Sequence, residues 1–104
     1  MKASVSNPCV RPGGPVTLTV DTEPEAFIGY DTQYSDNRNG MNGGYGGTGS
    51  GKADSKGVFT ATWTVGPTAP PGPVKTTMNG VGSGYSGNKV VLTYQVADTS
   101  GRCP

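Results

Sequence analysis

The sequence predicts an all-β fold, a sandwich of about six to seven short antiparallel strands with one long Gly-rich loop. Three observations carry that expectation. Gly57–Val65 (GVFTATWTV) alternates strictly after its first two residues. Phe59, Ala61, Trp63 and Val65 share one side, and Thr60, Thr62 and Thr64 the other. A period of two marks a strand with one buried and one wet face, and Thr and aromatic residues suit a pleated surface. Val16–Val20 repeats the pattern, with Val16, Leu18 and Val20 facing inward and Thr17 and Thr19 outward. Gly and Pro, 18 and 9 of the 104 residues, concentrate between such stretches, and no segment keeps a helical period.

Taken in order, Lys2–Asn7 reads as a short edge strand that Pro8 ends, and Asn7–Pro15 as a turn-rich connection. Proline removes a backbone donor there and glycine permits positive φ. Val16–Val20 is the second strand and Asp21–Pro24 closes it. Ala26–Tyr34 is the third, with Ile28 and Tyr30 as its inward residues. Ser35–Lys56 is a polar Gly/Asn/Ser stretch containing Asn39-Gly40 and Asn42-Gly43, both strong turn dipeptides. It is expected to be a flexible loop with Tyr45 exposed among its glycines. Gly57–Val65, with the only Trp, is expected to hold the core. Gly66–Pro73 is a proline-rich crossing, and Val74–Asn79 is a strand with Val74, Thr76 and Met78 inward. A second Gly/Ser loop carries Tyr85. Lys89–Val96 is the last strand, with Val90, Leu92, Tyr94 and Val96 inward and Val91 interrupting the polar face.

One hundred and four residues suit a single domain, 1–104, with one modest core. The net charge is +1 with acids and bases interspersed, so nothing tracks a phosphate backbone and nucleic acid is not an expected partner. There is no His, which removes the commonest metal ligand and general base. No apolar run reaches membrane-spanning length, and Met1-Lys2 opens onto no signal-peptide h-region. Cys9 and Cys103 lie near opposite ends of the chain. A disulfide between them would clasp the termini, contribute about 4–5 kcal/mol in the chain-entropy model, and imply an oxidising compartment. The alternative is two unpaired thiols.

Several motifs carry chemistry on paper. Gly46–Lys52 (GGTGSGK) matches a phosphate-loop spacing, but Ala53 stands where a magnesium-binding Ser or Thr belongs and no helix is expected to follow. Asp36, Asn37 and Asn39 with Gly40 echo a calcium loop, but Arg38 occupies a ligand position and no Glu follows; Asp31 and Asp54 could join only if the fold delivered them. An isopeptide bond needs an inward Lys, whereas Lys75, Lys89 and Asp31 fall on outward parity. The acids are scattered among turns, so no catalytic residue, metal or cofactor is expected. Tyr34, Arg38, Tyr45 and Tyr85, at or in the loops, are the candidate ligand-binding residues, since Tyr offers large contact area at low entropy cost.

Three stretches, Arg11–Val20 (RPGGPVTLTV), Gly57–Val65 and Ala69–Thr77 (APPGPVKTT), together resemble a bacterial immunoglobulin-like domain of secreted and cell-surface proteins. The resemblance covers most of the chain outside the Gly-rich loop. It implies an immunoglobulin-like antiparallel sandwich and a surface location. Antibody-type domains bridge two core strands with their disulfide; here a terminal clasp would take its place. The leading expectation for function is a non-enzymatic, monomeric spacer, stalk or accessory module. The alternatives are a module binding a glycan such as cell-wall polysaccharide, or a protein, through its Tyr/Gly-rich loops, and a decoration or adhesion module on an assembly such as a phage or pilus surface.

Overall fold

A computed structural model describes residues 2–40, 44–81, 89–98 and 100–103. Among these described residues eight strands follow in chain order: β1 (Lys2–Val5), β2 (Cys9–Val10), β3 (Pro15–Asp21), β4 (Phe27–Gln33), β5 (Gly49–Lys52), β6 (Val58–Thr64), β7 (Gly72–Val81) and β8 (Lys89–Val96). They form two sheets, a three-stranded one in the order β1-β3-β6 and a five-stranded one in the order β2-β8-β7-β4-β5. The fold is all-β, and the two sheets are consistent with a β-sandwich. No helix among the described residues is long and apolar enough to cross a membrane.

Alternation decides which residues meet between the sheets. Val16, Leu18 and Val20 of β3 are fully buried, and they face Ile28, Val74, Met78, Tyr94 and Val96 from the larger sheet. Thr17 and Thr62 look outward and place their hydroxyls 3.3 Å apart across the β3–β6 ladder, a cross-strand pair of the kind that stabilises sheets by a few tenths of a kcal/mol.

Several expectations are corrected. The middle strand of the smaller sheet is β3, and β6 is its edge. Trp63 is therefore half-buried at an open side of the two layers, stacked on Tyr30 with ring centroids 5.6 Å apart, while the deepest residues sit on β3. Cys9–Val10, read as turn, pairs in parallel with β8 through Cys9↔Gln95 and Val10↔Val96. Gly72-Pro73, read as part of the crossing, begins β7. Val91, which interrupts the polar face of β8, is exposed on an inner strand, since β8 lies between β2 and β7. The stretch 35–56 contributes a strand, because β5 pairs with β4 from Phe27↔Lys52 to Tyr30↔Gly49. Its alternating glycines have a reason: a Cβ on Gly51 would run into the ring of Phe59.

The particle measures 44 × 22 × 17 Å. The ten residues of β7 span about 30 Å, which neither short dimension can hold, so the strands run along the long axis. Register then fixes two poles. Lys2 pairs with Asp21, and Asp21 with Val58, at one pole. Val10, Val65 and Val96 mark the other, where Gly13 N–H donates to Val65 O and Ala97 N–H to Val10 O. Cys9 and Cys103 form a disulfide at that second pole, with Cα atoms 5.8 Å apart.

Candidate functional site

Three of the four candidate residues come together at the disulfide pole. Tyr34 follows β4 and is only 2% exposed. Its ring meets that of Tyr45 edge-on at 4.9 Å, and its hydroxyl donates to Tyr45 O at 3.1 Å and Gly46 O at 3.0 Å. Tyr45 is the clearest correction: it is 7% exposed rather than displayed on a loop. A core can recruit it because Tyr34 offers both a ring and a hydroxyl, and because Gly66 N–H donates to Tyr45 O. The Tyr45 hydroxyl emerges and donates to Asp36 Oδ2 at 2.8 Å. Asp36 also accepts from the Arg38 N–H, and the Arg38 guanidinium stands at 4.0 Å, mostly in water. Tyr85 lies outside the described residues.

The electrostatics follow from these partners. Burial, with a smaller push from Tyr94, raises the Tyr34 pKa well above an ordinary phenol; the Trp63 side chain offsets this only slightly. Desolvation pushes Asp36 upward, but the Tyr45 hydroxyl, the Arg38 N–H and the Arg38 charge together hold it below the usual carboxylate value. The hydrogen bond to Asp36, followed by burial, raises Tyr45. A protonated Tyr beside an ionised Asp is a strut. Neither group is poised to exchange protons near neutrality.

Behind this cluster runs a buried chain of hydroxyls. Thr32 Oγ1–H donates to Gly47 O at 2.9 Å, so the 2.7 Å contact between Thr32 and Thr76 must be donated by Thr76. The 3.0 Å contact between Thr76 and Tyr94 is then donated by Tyr94. The order is Tyr94, Thr76, Thr32, Gly47 carbonyl, from β8 through β7 and β4 into the Gly-rich segment. Gly47 fits only as glycine: φ is +97°, and a Cβ there would strike the side chain of Thr32 and come within 3.1 Å of Trp63. The phosphate-loop spacing of 46–52 is thus occupied by packing. Gly47 abuts Trp63 and Thr32, and the stretch continues into β5. Gly40 N–H donates to Thr32 O and Gly46 N–H to Gly40 O, which closes the segment onto itself.

The other acids serve turns. Asp54 Oδ1 accepts from the Lys56 and Val58 N–H groups, and Asp98 Oδ1 from Ser100 and Arg102. Val58 and Lys56 N–H groups hold Asp54 below the usual carboxylate range, and the Ser100 side chain and Arg102 N–H do so for Asp98. Asp31 accepts from the Thr48 hydroxyl at 2.7 Å. Lys75 and Lys89 are exposed, each on the outward face of its strand. Among the described residues no three Cys, Asp or Glu side chains gather as a metal site would need.

One cleft of about 350 Å³ at the disulfide pole is lined by Arg11, Pro12, Pro67, Asp98, Ser100 and Gly101. Among the described residues, the outer face of the five-stranded sheet exposes the large apolar side chains of Phe27 and Val91. Beside Phe27 on β4 is Gly29, above which the space is open. The exposed parity of Phe27 was legible; the empty position next to it needed the sheet. No protein-family model matches the chain, and no curated protein matches it.

Proposed function

We propose that this chain is an immunoglobulin-like structural module, a spacer or stalk unit of a secreted or cell-surface protein. The observation that carries this reading is the placement of Lys2, beside Asp21, and of Cys103, bonded to Cys9, toward opposite poles of an elongated body. A chain that enters at one pole and leaves at the opposite one adds its own length to whatever lies on either side. The two sheets, of three and five strands, are compatible with the sandwich architecture that immunoglobulin-like modules use. The Cys9–Cys103 bond points to an oxidising compartment and, with it, to secretion or surface display. Tyr34 and Tyr45 have their rings against each other, which favours a structural role over recognition for that pair.

The test is a tandem of three copies joined end to end, measured by small-angle X-ray scattering. A spacer lengthens with each added copy by about the Lys2–Cys103 reach plus the joining residues, roughly 30–40 Å. A compact trimeric particle whose maximum dimension hardly grows would sink the reading.

A second reading, a binding module, is favoured by the exposed Phe27 ring next to the open Gly29 position. A flat ring beside a bare stretch of sheet suits stacking against a sugar. Amide-resolved NMR titration with cell-wall polysaccharide fragments tests it: saturable shifts on β4 and β5 that vanish in Phe27→Ala would establish it, and unchanged spectra at millimolar ligand would remove it.

A further inference from the structure

We infer that the Cys9–Cys103 disulfide takes the folded body of the module out of the path of end-to-end tension, so that the oxidised module is inextensible. The inference rests on the spacer reading for its biological use, but its physics depends only on connectivity and register.

Consider a load applied through the chain on either side of the module. Entering at Lys2, it travels along β1, through Ser6, Asn7 and Pro8, to Cys9. There the covalent path divides. One branch is the whole intervening chain, 94 positions in sequence separation; the other is a single S–S bond to Cys103, whose Cα lies 5.8 Å away. The short branch becomes taut first, and the long branch, which contains β2 to β8 past Cys9, stays slack. Only Lys2 to Cys9 is stretched. That segment is already largely strand, since Lys2–Val5 pairs with Leu18–Asp21 and Ser6 N–H donates to Thr17 O. Its entire contour is about 25 Å, which caps what tension can draw out, most of it already extended.

The arrangement depends on where the two cysteines lie. Cys9 closes β1's traverse from the Lys2 pole, and Cys103 is reached after Asp98 has turned the chain back, with Asp98 N–H donating to Arg102 O. The bond is therefore made at the pole where the chain departs. A disulfide placed at the Lys2 pole would have left the departing segment to pull on the sheets.

Single-molecule force spectroscopy tests the inference, with handles attached before Lys2 and after Cys103. The oxidised protein is expected to show no unfolding step. Reductant added to the same protein should introduce a step of about 310–340 Å of contour, the length of the released loop fully extended. A step of that size in the oxidised protein, or one unchanged by reductant, overturns the inference. Cys9→Ser/Cys103→Ser should behave as the reduced protein does, and reduction of the wild type under load covers the case in which that variant fails to fold. Moving one handle to Lys56, midway between the cysteines in an exposed turn, forces the load through the sheets. A step of about 155–170 Å is then expected even when oxidised. Its absence would mean that the fold resists from any direction, and the bypass would lose its explanatory role. The outcomes separate from those of the scattering experiment. A rod that nevertheless yields a long oxidised step keeps the spacer and loses the bypass; a compact tandem with no oxidised step keeps the bypass and loses the spacer.

Discussion

Toward the Lys2 pole the interior is made of Leu18, Val20, Ala26, Ile28, Ala53, Phe59 and Met78, none of which has a side-chain hydrogen bond to satisfy. Toward the disulfide pole, Tyr34, Tyr45 and Tyr94 join Val10, Val16, Val65, Val74 and Val96, and the buried Thr32–Thr76 pair adjoins them. The first region needs volume and shape. The second also needs each hydroxyl to find its partner, because a buried polar group without one costs about 1–3 kcal/mol. In return it gains direction: the hydroxyl chain ends on one particular carbonyl, that of Gly47, and so fixes a Gly-rich segment that has few side chains of its own to hold it. Hydrophobic burial alone would leave such a segment free to slide.

Substitutions can sharpen this contrast. Ile28→Ala should have the largest effect, about 2–5 kcal/mol, because it opens a void in the aliphatic region; urea melts with an unchanged slope would show it. Gly47→Ala should cost about 1–3 kcal/mol from overpacking against Thr32 and Trp63, with an added penalty for positive φ. It should also move the Tyr45 resonances, which Ile28→Ala should leave alone. Thr76→Val comes next, at about 1–3 kcal/mol, since it strips Tyr94 of an acceptor and Thr32 of a donor. Tyr94→Phe cuts the same chain at its free end and should cost less, about 1 kcal/mol. Equal costs for the two would mean that the chain has no fixed direction.

The smallest effects are those of pH. Asp54 and Asp98 have folded pKa values below the usual carboxylate value. Their stabilisation is therefore complete above about pH 4 and is lost as pH falls through the folded values. Burial raises Tyr94 and Tyr34, so their contribution is complete below about pH 10 and is lost as pH rises beyond it. Thermal midpoints measured across this range should be flat between the two limits. On the alkaline side, tyrosinate absorbance from the disulfide-pole region should appear together with unfolding. A tyrosinate signal that rises smoothly in the folded protein would break the contrast between the regions.

The aliphatic region was largely legible. Val16, Leu18, Val20 and Ile28 alternate with polar neighbours, and alternation is a local property that survives into the sheet. The second region was not, for physical reasons. Tyr45 sits among glycines, and its burial depends on Tyr34 and Gly66, neither of them a neighbour in sequence. Gly49–Lys52 has no β-forming side chains; it is a strand because β4 offers it a ladder and because its glycines leave space for the rings of Tyr30 and Phe59. The pairing of Cys9 with Cys103 was an expectation from composition and spacing, and the fold brings the two together. The candidate site was legible in part: Tyr34, Arg38 and Tyr45 do converge, but as a packed and hydrogen-bonded corner in which only Arg38 stays mostly in water.

The parallel ladder between β2 and β8 also imposes a timetable. Cys9 pairs with Gln95 and Val10 with Val96, so during synthesis the β2 segment waits for one made about 85 residues later. Closing so long a loop is slow compared with forming a hairpin, and all-β folds dominated by such pairings take milliseconds to seconds. Until then Cys9 has an unfinished sheet beside it and its proper partner is out of reach. An oxidant that meets Cys9 before Cys103 has been made cannot form the native bond, whereas one that acts after β8 has docked finds Cys103 already in place. Formation of the bond therefore serves as a covalent record that the sheet was completed in register.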